Sequence, residues 1–76
     1  MIIGRLVQHD MKFSPRELLH YRGEEAWFFV ERAAWLAQGL VNEGADVRTI
    51  EYACTPPDRD GDPFTMHAVA RVPVSI

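Results

Sequence analysis

Cysteine is almost missing from this chain: Cys54 stands alone among 76 residues, so no disulfide can close within it. That excludes the disulfide-stapled secreted scaffolds and fits a reducing compartment. Long hydrophobic runs are missing as well. No stretch reaches the roughly 18 apolar residues that a membrane helix needs. Residues 1–5 show no basic leader followed by an apolar run, so no signal peptide is expected and the expected location is cytoplasmic. Lysine is nearly absent, with Lys12 beside seven arginines. These cations (Arg5, Lys12, Arg16, Arg22, Arg32, Arg48, Arg59, Arg71) form no run or stripe, and the formal net charge is −3. Nucleic-acid binders carry a basic footprint, so that class is disfavoured. The arginine bias reads as codon usage in a GC-rich genome. The glycines are isolated, which excludes a glycine-rich phosphate loop.

What is present describes one small domain spanning residues 1–76. Its hydrophobic fraction, 47%, is that of a globular protein. A chain this short buries only about 60% of its unfolded surface. Oligomerisation is one way to gain the missing stability.

Residues 2–9 are rich in β-branched side chains and read as a strand. Apolar residues fall on both of its faces, so the buried face stays open. Residues 10–13 are expected to connect it to a helix. Ser14-Pro15-Arg16-Glu17 is a helix start, with Ser14 as N-cap, Pro15 at the first helical position and Glu17 completing a capping box. The helical pattern runs to Glu43, and Gly44 suits a left-handed stop. Gly23 interrupts it and either kinks the helix or breaks it. Residues 46–54 and 64–74 alternate as strands. Tyr52 and Cys54 share one face, as do Phe64, Met66, Ala68, Ala70 and Val72. The prolines and glycine of 55–63 make a polar hairpin loop. The expected fold is α+β, in the order β-α-β-β. One long helix packs on a three-stranded antiparallel sheet of order 1-3-2.

At about 100° per residue, Ala26, Phe29, Val30, Ala33, Ala37, Leu40 and Val41 form an apolar stripe. Phe28 and Trp35 fall on the opposite, polar side, and Tyr21 joins their line if the helix is continuous. Arg32 lies one turn beyond Phe28 and can reach back over its ring, and Glu24 lies one turn before it. An aromatic row facing solvent marks an interface, and Trp and Tyr dominate interface energetics. The expected partner surface is therefore Tyr21, Phe28, Trp35, Glu24 and Arg32.

Signals for chemistry are sparse. Asp58-Arg59-Asp60-Gly61-Asp62 resembles the first five positions of an EF-hand calcium loop. The likeness ends at Pro63, where that loop has its invariant glycine, and at Val69, where it has its bidentate glutamate. His9 and His67 become neighbours if the first and third strands pair, with Glu51 and Asp10 in reach, yet two histidines make a poor zinc site. Cys54 faces inward and behaves as a small apolar residue. No catalytic, metal or cofactor residues are assigned.

The order of elements resembles that of dodecin, a strand-helix-strand-strand protein that assembles into a flavin-binding shell. The likeness is one of topology and brings no flavin site with it. The expected function is a non-enzymatic protein–protein interaction module. It would be a homo-oligomer, or a small inhibitor or adaptor of a larger complex, such as a phage-encoded inhibitor of bacterial defence. The alternatives are a small-molecule-binding oligomer with sites between subunits, and a small enzyme whose site is completed across an interface by His9, His67 and Glu51.

Overall fold

A computed structural model describes residues 4–74. The order is β1 (Gly4–Phe13), α1 (Pro15–Leu19), α2 (Glu25–Asn42), a 3-10 turn (Val47–Thr49), β2 (Glu51–Thr55) and β3 (Phe64–Pro73). The fold is α+β, with the expected three-stranded antiparallel sheet in the order β1-β3-β2. Residues 2 and 3 of the anticipated first strand lie outside the described residues.

β1 runs on through residues 10–13, where a connection was expected. Val7, Met11 and Phe13 point to the helix and Gln8, Asp10 and Lys12 point away, so the alternation continues and β3 pairs along its whole length. α1 begins as its sequence specifies. Pro15 sits at the first helical position, and the Ser14 amide donates to Glu17 Oε2 at 2.7 Å. Gly23 breaks the helix: it adopts φ +84°, in the left-handed region that glycine tolerates, and α2 starts two residues later. Gly44, at φ +92°, ends the helical run, and its amide donates to Val41 O at 2.8 Å.

The core lies between α2 and the sheet. Phe28, Leu36 and Leu40 meet Val7, Phe13, Met66, Ala68 and Ala70. The small Ala68 and Ala70 let the helix approach the middle strand closely. The buried face of α2 is therefore centred on Phe28, Leu36 and Leu40, about one residue's rotation from the expected stripe. Val30 is 57% exposed and Val41 40% exposed, although the expected stripe included both.

Candidate functional site

The expected aromatic row is broken up by this phase. Phe28 is wholly buried, its ring centroid 5.1 Å from that of Phe13 and 5.3 Å from that of Tyr21. It cannot serve as a contact surface. Tyr21 lies on the turn after α1, not on α2, and is half-buried; its hydroxyl donates to Glu31 Oε2 at 2.9 Å. That bond holds the Tyr21 hydroxyl above its usual pKa, since losing the proton would set two anions side by side. Glu24 is exposed at the N-cap of α2. Arg32 does reach back over Phe28, with Cζ 4.8 Å from that ring and 4.6 Å from the Trp35 ring. It also contacts Glu17 at 3.6 Å, tying α1 to α2. Trp35 is exposed, as expected, and so is Trp27, which the sequence reading did not single out.

The unpartnered surface lies elsewhere. α2 rests on β1 and β3 and leaves the helix-side face of β2 uncovered. Tyr52 and Cys54 point to that face and remain exposed, so Cys54 is not the buried cysteine its position suggested. Between them and the helix runs a groove of about 370 Å³ whose walls include Phe29, Val30, Ala33 and Met66. β2 is also an edge strand, and every one of its five residues is exposed. Unpaired amides and carbonyls along an edge are a template for another strand. β1 is the other edge strand, and among the described residues no strand pairs with its outer side either, but its inner face is covered. β1 carries α2 over it, and Val7 and Phe13 are buried there.

The outer face of the sheet holds a polar relay across all three strands. Asp10 of β1 faces His67 of β3, and His67 faces Ala53 of β2. His67 Nδ1 lies 2.7 Å from Asp10 Oδ1, and His67 Nε2 lies 2.8 Å from Thr55 Oγ1. Gln8 Nε2 donates to the same Asp10 oxygen at 2.8 Å. The Gln8 amide first, and His67 second, hold the Asp10 carboxyl below its usual pKa. A carboxylate accepts only, so Nδ1 donates to Asp10, and in the neutral imidazole Nε2 then accepts from the Thr55 hydroxyl.

His9 does not join His67. It lies on the helix side, packed against Gly39 and paired with Glu43. Gly39 is needed there, since a Cβ at that position would come within 2.7 Å of the imidazole. The pairing of His67 with Asp10 instead follows from the register of β1 on β3, which no local pattern specifies. The aspartates of the hairpin loop are exposed and converge on no site. Among the described residues, no three of His, Cys, Asp and Glu come together as metal ligands, and no helix is long and apolar enough to cross a membrane. Comparison with protein-family models, with curated proteins and with solved structures returned no match.

Proposed function

We propose that the protein is a protein–protein interaction module that pairs with a second copy of itself through β2. The observation that carries this reading is the continuity of two incomplete surfaces. The free edge of β2 runs directly into an apolar groove walled by the half-covered face of α2. Strand addition at such an edge draws affinity from backbone hydrogen bonds and specificity from the adjoining pockets.

A two-fold contact is self-complementary, and the strand limits its register. Pro56 follows Thr55 and cannot donate to a ladder. An antiparallel pairing centred on Ala53 is the one that uses all five residues of β2. It sets Tyr52 opposite the second copy's Cys54, and Glu51 opposite its Thr55, so no like charges face each other. The result is a six-stranded sheet with both helices on one side. The exposed Val30 and Tyr52 then lie beside the seam.

Light scattering across a range of concentrations tests the association. A dimer is expected, and Val30→Glu and Tyr52→Glu, both at exposed positions, should each yield a folded monomer. Tyr52→Cys tests the register. Opposed residues in an antiparallel pair stand about 4.5–5.5 Å apart, near disulfide reach. The variant should form a covalent dimer on mild oxidation, while the native Cys54 alone should not. A monomeric wild type at high concentration would refute the reading.

A further inference from the structure

We propose that Thr55, His67 and Asp10 form a nucleophilic site that accepts an acyl group from neutral activated esters or thioesters. The site lies within one chain and goes beyond self-association, on which it does not depend.

Its geometry has three parts. A hydroxyl stands 2.8 Å from an imidazole nitrogen, and the other ring nitrogen stands 2.7 Å from a carboxylate. That is the order of nucleophile, base and orienting group that activates a hydroxyl. Each comes from a different strand, so the sheet itself sets their spacing. Gln8 donates to the same Asp10 oxygen that faces His67 Nδ1, which holds the carboxylate beside the imidazole. Thr55 is exposed, and its side chain lies on the outer face of the sheet, which pairing of β2 with a second copy leaves uncovered. His67 itself lines a depression of about 350 Å³, together with Gln8, Glu51, Tyr52, Ala53 and Val69. Ala53 and Val69 give it an apolar floor.

The same surroundings define the acyl donor. Among the residues lining the depression, Gln8 alone carries an amide side chain, and it already donates to Asp10. Stabilisation of an oxyanion is the largest single contribution in most acyl transfer. Without a dedicated pair of donors, the site suits substrates whose leaving group departs easily, such as thiolate or phenolate, and not amides. Asp10 and Glu51 give the site a negative field. This favours neutral donors over anionic ones and stabilises the imidazolium that forms.

In the first step Thr55 Oγ1 attacks the acyl carbon while His67 Nε2 takes the hydroxyl proton. The tetrahedral adduct collapses, its bond to the leaving group breaks, and His67 returns the proton to the departing thiolate or phenolate. The product is an ester at Thr55. Water, deprotonated by His67, then attacks that ester; the acid leaves and Thr55 recovers its proton. No oxidant or further reactant is needed.

The test treats the full chain with p-nitrophenyl acetate and follows both p-nitrophenolate release and the site of acetylation by peptide mass spectrometry. The expected result is one acetyl group on Thr55, stable to neutral hydroxylamine and removed by alkaline hydroxylamine. His67→Gln should slow labelling by about 100-fold, the scale of general-base catalysis, and Thr55→Ser should keep it. Thermal melts of each variant show whether the sheet is intact, and Asp10→Asn offers a second, milder change that should also slow labelling. Acetylation confined to Lys12 or to the exposed His20, or labelling of Thr55 at an unchanged rate in a folded His67→Gln variant, would overturn the proposal.

Discussion

Truncating Phe28 separates the structure from the pattern that places this side chain in solvent. The ring is fully buried and meets three others, with centroids at 5.1 Å from Phe13, 5.3 Å from Tyr21 and 5.4 Å from Phe29; Arg32 also covers it, its Cζ 4.8 Å away. Phe28→Ala removes this packing and leaves a cavity, a change that costs about 3–5 kcal/mol in well-packed cores. The aromatic pairs, each about 0.5–1.5 kcal/mol beyond area burial, favour the upper end. At about 0.05–0.15 kcal/mol per residue, a chain of 76 residues has a total stability of about 4–11 kcal/mol. The variant should therefore lose a large fraction of its stability, and all of it if the total lies at the low end of that range. The assay is urea denaturation followed by circular dichroism, with protein concentration held fixed because self-association adds stability by mass action. With a slope of about 2 kcal/mol per molar urea, the midpoint should fall by roughly 2 M. Trp35→Ala is the control. That residue is 63% exposed and its main partner is Arg32, so the loss should be about 0.5–1 kcal/mol. A cost below about 1 kcal/mol for Phe28→Ala, or one no larger than that of Trp35→Ala, would refute the buried placement.

Gly44→Ala should destabilise by about 1 kcal/mol in the same assay. Gly44 holds φ +92°, and an added Cβ would meet Val72 only at an ordinary 3.6 Å, so the cost is one of backbone conformation. Acid should expose the role of Asp10. The Gln8 and His67 hydrogen bonds lower its folded pKa beneath the ordinary 3.8. The stability it contributes is thus fully present above that ordinary value and lost as pH falls through the lowered one. Urea midpoints measured through this acid range should fall less steeply for Asp10→Asn than for the wild type.

The order of elements was legible because strong local signals mark it. Pro15 and Glu17 open α1, Gly44 closes α2, and the alternation of 64–74 leaves one choice of face. The sheet order then follows from antiparallel pairing. The phase of α2 was not legible. Its apolar side chains, from Trp35 and Phe28 round through Leu36, Phe29, Leu40, Ala33, Ala37 and Val30 to Val41 and Trp27, span about three quarters of the circumference. A pattern that broad has more than one candidate centre. The break at Gly23 frees α2 from the phase of α1, and packing over Ala68 and Ala70 selects the centre at Phe28, Leu36 and Leu40. The relay of Asp10, His67 and Thr55 was hidden for a different reason. His9 sits on the helix side with a charged partner, which disguises the alternation of β1, and a one-residue error in register exchanges His9 for Asp10 beside His67.

The breadth that obscured the helix phase is itself informative. A helix that packs on a single sheet needs an apolar arc of about 100°. α2 carries well over twice that, and its own sheet covers only the part centred on Phe28, Leu36 and Leu40. Of the remainder, Trp27, Trp35 and Val41 are exposed and line no part of the groove beside β2. Phe29, Val30 and Ala33 lie on the side facing β2, the strand that also lacks a cover and a neighbour. A surplus of apolar helix surface and a deficit of strand pairing arise from different parts of the chain, on opposite sides of the turn after α2. One pairing of β2 with a second copy would satisfy the strand edge and bring the apolar surplus to the seam.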